Sequence, residues 1–137
     1  MKGLDIDEQA QLHALDKALR FARAELNPDV TAQRLLILIC VFFNQGLSQR
    51  ELLSKLESTS ITALSRNLAD LSAWTTKKAA GPGLIELRGD PMNLRIKRVY
   101  LTRKGEGFVR RWLKAVTKAS SGLAEKPGSG RGGARTP

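Results

Sequence analysis

Little in this sequence can hold a metal or close a disulfide. Its 137 residues contain one cysteine, Cys40, and one histidine, His13. A single Cys excludes a disulfide framework within the chain, and with so few Cys and His no Cys/His metal cluster is expected. No cofactor is expected either. Aromatics are scarce, with four Phe, two Trp and one Tyr. Most of them fall on apolar helix faces, which argues against the exposed stacking surface that RNA recognition uses. The lone His13 falls on the first helix, and there is no Walker loop, no G-x-S-x-G elbow and no metal-ligand cluster, so an enzyme is not expected. The longest apolar run, Leu35 to Phe43, is far short of the roughly 20 residues that span a bilayer. The opening MKGLDIDEQA is acidic and unlike a secretory signal. A soluble, cytoplasmic protein without a membrane partner is the expectation.

Acidic residues are also in deficit. Asp and Glu number 13 against 23 Lys and Arg, a net charge of +10. An excess of that size points to a polyanionic partner. It is not spread evenly: residues 1–30 carry −2, residues 31–117 carry +9 and residues 118–137 carry +3. With 42% apolar residues, the chain has enough material for one globular core. The final stretch, rich in Gly, Ser and Pro, cannot offset its own ordering entropy and is expected to be a disordered basic tail over 120–137. Its G-S-G-R-G-G matches the dinucleotide fingerprint only in letters, because no strand precedes it and no helix follows.

Five helices and one hairpin emerge from the periodicity. Leu12, Leu15, Leu19, Ala22 and Leu26 mark a narrow apolar stripe on a helix over about 5–26, ended by Asn27-Pro28. Such a stripe packs either on its own domain or on a partner helix, and the pattern alone does not choose. Thr31 caps a second helix to about Asn44, apolar on nearly every face and so expected to be the buried centre, with Cys40 as core packing. Ser48-Gln49-Arg50-Glu51 is a capping box that opens a third helix to about Glu57. A fourth follows to about Ala73, its apolar positions Ile61, Leu64, Leu68 and Leu71. Thr62, Ala63, Ser65, Arg66, Asn67 and Asp70 lie on its other face.

Two short helices joined by a tight turn make a helix-turn-helix. Small polar residues let a helix sit deep in the DNA major groove. Arg reads guanine and Asn reads adenine, while Ser and Thr near a helix N-terminus meet phosphates. The bland alternative is a solvated face. From Gly81 the period changes. Leu84–Arg88 and Arg95–Leu101 read as strands around turn residues Gly89–Asn93. Arg88, Arg95, Lys97 and Arg98 bracket the tip of this hairpin, as suits a wing that meets phosphates or a minor groove, more than simple protection of a sheet edge. Thr102 caps a fifth helix to about Ala119, with Phe108, Val109, Trp112, Leu113 and Val116 on its apolar face.

In this order the elements resemble the MarR-type winged-helix transcription regulators. The resemblance is carried by Gly83–Phe108, GLIELRGDPMNLRIKRVYLTRKGEGF, with its G-L-I strand, D-P tip and L-T-x-x-G entry to the next helix (Leu101, Thr102, Gly105). Leu47–Leu52 and Leu64-Ser65-Arg66 resemble the starts of the family's third and recognition helices. It spans roughly residues 31–117. Three departures stand out. Asn93 replaces the usual Asp beside Arg95, an extra segment SAWTTKKAAGP follows Leu71, and one helix instead of two follows the wing. The extra segment would either lengthen the recognition helix through Trp74 or form a basic loop with Lys77 and Lys78.

The resemblance implies a mainly α fold with a small β-hairpin wing, a winged helix-turn-helix acting as a homodimer. Its expected parts are an N-terminal dimerisation helix (1–30), a DNA-binding domain (31–101) and a C-terminal dimerisation helix (102–119). The expected function is a sequence-specific double-stranded DNA-binding regulator, repressor-like. The alternative is a winged-helix protein-interaction module. Expected DNA contacts are Ser48, Gln49, Thr59, Ser60, Thr62, Ala63, Arg66, Asn67, Arg88, Arg95 and Lys97. Expected dimer contacts are Leu12, Leu15, Leu19, Leu26, Trp112 and Val116. Many family members take a small-molecule effector, but no residue here identifies one.

Overall fold

The computed structural model describes residues 3–57 and 59–124, with side chains to 117. The chain divides into two compact units. One joins residues 1–28 to 110–137, and the other is Asp29–Val109.

The second unit is built on helix α2 (Ala32–Phe43), capped by the Thr31 hydroxyl as expected. Leu35, Ile37, Leu38 and Val41 are fully or nearly fully buried. Leu64, Leu68 and Leu71 of α4 (Ile61–Leu71), Leu52 of α3 (Gln49–Leu53), and Ile85, Val99 and Leu101 of the hairpin are buried with them as the core of this unit. The expectation that α2 is buried all round is corrected: Leu36, Ile39 and Phe42 are exposed, and Phe43 is 75% exposed. Cys40 is only half-buried, and burial is the main influence raising its thiol pKa.

Helix α3 is shorter than its periodicity suggested. It opens on the expected capping box, with the Ser48 hydroxyl accepting from Glu51 N at 3.1 Å and the Glu51 carboxylate accepting from Ser48 N at 2.9 Å. It unwinds after Leu53 into tight turns in which Lys55 N–H donates to Leu52 O and Leu56 N–H to Leu53 O. Ser60 caps α4 through Ala63 N. Helix α4 then stops at Leu71, so the extra segment does not prolong it. The chain folds back on itself instead. Thr75 N–H donates to Ala79 O, Gly81 N–H to Ala73 O and Leu84 N–H to Leu71 O, which makes a small second hairpin of residues 72–82. A side chain at Gly81 would overlap the Ser72 carbonyl, so that crossing needs glycine.

The main hairpin pairs β1 (Ile85–Asp90) with β2 (Asn93–Leu101) in antiparallel register. Both strands run further toward the tip than sequence suggested, leaving Pro91-Met92 as the turn. The register slips between Gly89 and Asp90, so β2 bulges over Leu94–Ile96. A third short segment lines β2 on its other edge. Gly46 N–H donates to Val99 O and Val99 N–H to Leu47 O. The L-T-x-x-G motif has a plain cause. Thr102 caps α5 (Arg103–Ala124) by accepting from Gly105 N while its hydroxyl donates to Gly83 O. A Cβ at Gly105 would run into the Leu84 carbonyl.

In the first unit, α1 (Ile6–Glu25) opens on an Asp5–Glu8 capping box. Trp112 of α5 donates its indole N–H to Ala18 O at 2.9 Å, and Arg111 pairs with Glu25. Helix α5 continues to Ala124, past the expected end near Ala119. The rest of the expected tail, including G-S-G-R-G-G, lies outside the described residues.

Candidate nucleic-acid interface

Capping places the polar ends of α3 and α4 at the surface, and the bulged strand brings the wing beside them. A cleft of about 370 Å³ results, lined by Ser48–Arg50 at the start of α3, Ile61 at the start of α4 and Arg95–Lys97 on the wing. Residues far apart in sequence are thus joined as expected for Ser48, Gln49, Arg95 and Lys97. Arg50 and Ile61 were missed. Arg50 carries a signal that could have found it, a cation two residues after an N-cap. Ile61 looked like core by its spacing from Leu64, yet it is exposed.

The remaining expected contacts divide. Ser60, Thr62 and Arg66 are exposed on α4, Ala63 is half-buried, and Arg66 makes no ion pair among the described residues. Asn67 is corrected: it is only 8% exposed, and its side chain is used internally. Its Oδ1 accepts from Arg34 Nε at 2.8 Å, and its Nδ2 donates to Ala63 O at 2.9 Å. Thr59 is also committed inward. Its hydroxyl accepts from Gln33 Nε2 at 3.1 Å and contacts Glu57 O at 3.3 Å. Arg88 is exposed on β1, where it pairs with Glu86 at 2.6 Å and stacks on the Tyr100 ring, 4.0 Å from its centroid.

The wing's internal brace is a different pair from the one the resemblance implied. Asn93 Oδ1 accepts from the Arg95 backbone N–H, leaving the Arg95 guanidinium exposed in the cleft. The carboxylate partner is Asp90, which accepts from Arg98 Nη2 at 2.7 Å and from Met92 N at 2.7 Å. The Met92 N–H and then the Arg98 guanidinium hold the Asp90 carboxyl below its ordinary pKa, and the same bond raises Arg98. Arg98 Nη1 also donates to Gly46 O at 3.0 Å, tying the wing to the chain entering α3. Arg98 therefore positions the wing, while Arg95 and Lys97 remain available to an anion.

No family model matches the chain, and no curated protein matches it. Solved structures do match it. The transcriptional repressor CouR, bound to a 23-mer DNA duplex, aligns with a TM-score of 0.58 at 22% identity, over 90% of this chain and 80% of that one. A cysteine-to-serine mutant of MarR from E. coli, complexed with operator DNA, aligns with a TM-score of 0.55 at 20% identity, over 86% of this chain and 74% of that one. A further MarR structure is 26% identical, with a TM-score of 0.53 over 78% of this chain and 75% of that one. The chain has the MarR-type winged-helix fold. Within that fold, α3 and α4 are the helices of the helix-turn-helix and β1–β2 are the wing. Of the motifs in Gly83–Phe108, Gly83, Leu84, Thr102 and Gly105 join the base of this wing to α5.

Proposed function

We propose that the chain is a sequence-specific double-stranded DNA-binding transcription regulator of the repressor type, acting without catalysis and as a homodimer. The observation that carries this reading is the cleft. It sets Arg50, Arg95 and Lys97 around the polar starts of α3 and α4, with no carboxylate among its lining residues. Helix α4 enters the major groove, with Thr62 and Arg66 at base edges and Ser60 near phosphate. Arg95 and Lys97 meet the adjacent minor groove or its phosphates. The CouR and MarR structures bound to DNA support the same reading.

The dimer face is the α1 stripe. Leu12, Leu15 and Leu19 are 56%, 61% and 53% exposed, a row of leucines open along one helix. Leu26 and Val116 are half-buried. Trp112 is removed from the expected contacts because it is buried and bonded within its own chain, whereas Leu113 of the same helix is exposed. Two-fold symmetry then implies a pseudo-palindromic site with half-sites about 34–36 Å apart. Selection of bound fragments from random duplex DNA tests the whole reading. A two-fold symmetric consensus is expected, and recovery of unselected sequence would overturn it.

A further inference from the structure

The hairpin of residues 72–82 has no part in the cleft, yet it is built firmly. Asp70, the penultimate residue of α4, accepts through Oδ1 from both the backbone N–H and the hydroxyl of Thr76, at 2.9 and 2.8 Å. Its other oxygen takes Arg34 Nη2 of α2 at 2.9 Å. The turn Thr75–Lys78 is closed by Lys78 N–H donating to Thr75 O at 3.0 Å, with Lys78 in the left-handed region at φ 57°. The hairpin is thus fixed to the end of α4 from two sides.

On this frame stand Lys77 and Lys78, both exposed, and Trp74, 61% exposed. Neither lysine makes an ion pair among the described residues, and residues 71–84 contain no Asp or Glu to neutralise them. Lys104, at the start of α5, passes close to Gly83 at the hairpin's base. Unneutralised cations beside an exposed, flat aromatic suit a sugar–phosphate chain. The ammonium groups meet phosphates and the indole lies on sugar.

Position supplies the rest. Helix α4 has 11 residues. At about 1.5 Å per residue it is roughly 16 Å long, against a major groove about 12 Å wide. A helix of that length set across the groove, with its N-terminus at one wall, has its C-terminal end at the strand on the other. We infer that the 72–82 hairpin is a third DNA contact, which grips the phosphate backbone at the far wall of the groove that α4 enters. This rests on the DNA-binding reading given above.

The test is the salt dependence of binding to the selected duplex and to a scrambled one. Lys77→Gln with Lys78→Asn removes both charges and keeps the turn, since Asn tolerates the left-handed conformation. Each lost phosphate contact lowers the slope of log affinity against log salt by about 0.9, so a drop of about 1 to 2 is expected, equal on both duplexes. Trp74 emission, taken as the difference between wild type and Trp74→Phe, should fall when DNA is added. An unchanged slope and emission, with wild type still binding, would overturn the inference alone and leave the hairpin to a protein partner. A wild type that binds neither duplex would overturn the DNA-binding reading and this inference with it.

Discussion

Arg66 and Asn67 are neighbours on α4 with opposite assignments. Arg66 points to solvent, whereas Asn67 holds α2 and α4 together. Arg66→Ala should cost about 1–3 kcal/mol in binding and relax preference at one base position. Equal weakening on every sequence would make it a phosphate contact instead. Asn67→Ala should act on folding, lowering the urea midpoint while leaving base preference unchanged. The stretch that carries Arg66 and Asn67 reads as an exposed polar face from sequence. Nothing in the spacing of Asn67 reveals that Arg34, 33 positions earlier, bonds it. The wing brace was hidden for the same reason. Asp90 lies two residues beyond Arg88, the register partner of Arg98, and a strand register is not written in alternation alone. By contrast Ser48, Thr31 and Thr102 were legible as caps, because a cap is a local bond over three residues.

At the scale of elements, α2 and α4 are joined by a polar seam above the shared apolar core. It runs from Thr59 through Gln33 to Asn67, Arg34 and Asp70, and on to Thr76. Arg34→Met leaves Asn67 Oδ1 and the Asp70 carboxylate short of a donor. Loss of such a partner costs about 1–3 kcal/mol, readable by urea unfolding. Asp70 gives the seam a pH dependence. Burial opposes its ionisation, but bonds from Thr76 and Arg34 outweigh it and hold the pKa below the ordinary value. The folded pKa is depressed, so the contribution is present above the unfolded value, about 3.9, and is lost as pH falls through the folded one. In Asp70→Asn, the loss of urea resistance below about pH 4 should be shallower than in wild type. An identical acid profile would show that Asp70 is not linked to folding. Element order was legible because hydrophobic period changes mark each boundary. The early end of α3 was not legible: Leu56 continues its apolar pattern although the chain unwinds after Leu53.

At the scale of the whole molecule, the charge map and the two compact units do not coincide. Residues 1–28 are net acidic, but the unit they share with basic residues 110–137 carries +5, the same as residues 29–109. The boundary falls inside α5, at Val109, which a sequence reading by helices could not locate because the helix itself is unbroken. Leu15→Asp with Leu19→Asp should give a monomer by sedimentation and reduce affinity for a two-site duplex far more than for a single half-site. A persistent dimer would exclude the α1 stripe as the interface.

In the homodimer proposed above, the open leucines of α1 would also set how the protein responds to its own abundance. If two copies must meet before an operator is held, occupancy at low concentration rises with the square of the amount of chain. Dilution acts twice, once on assembly and once on DNA. A gene under such control switches over a narrower range of protein copy number than a monomeric binder allows. Three solvent-facing side chains on one helix would then decide the sharpness of that threshold.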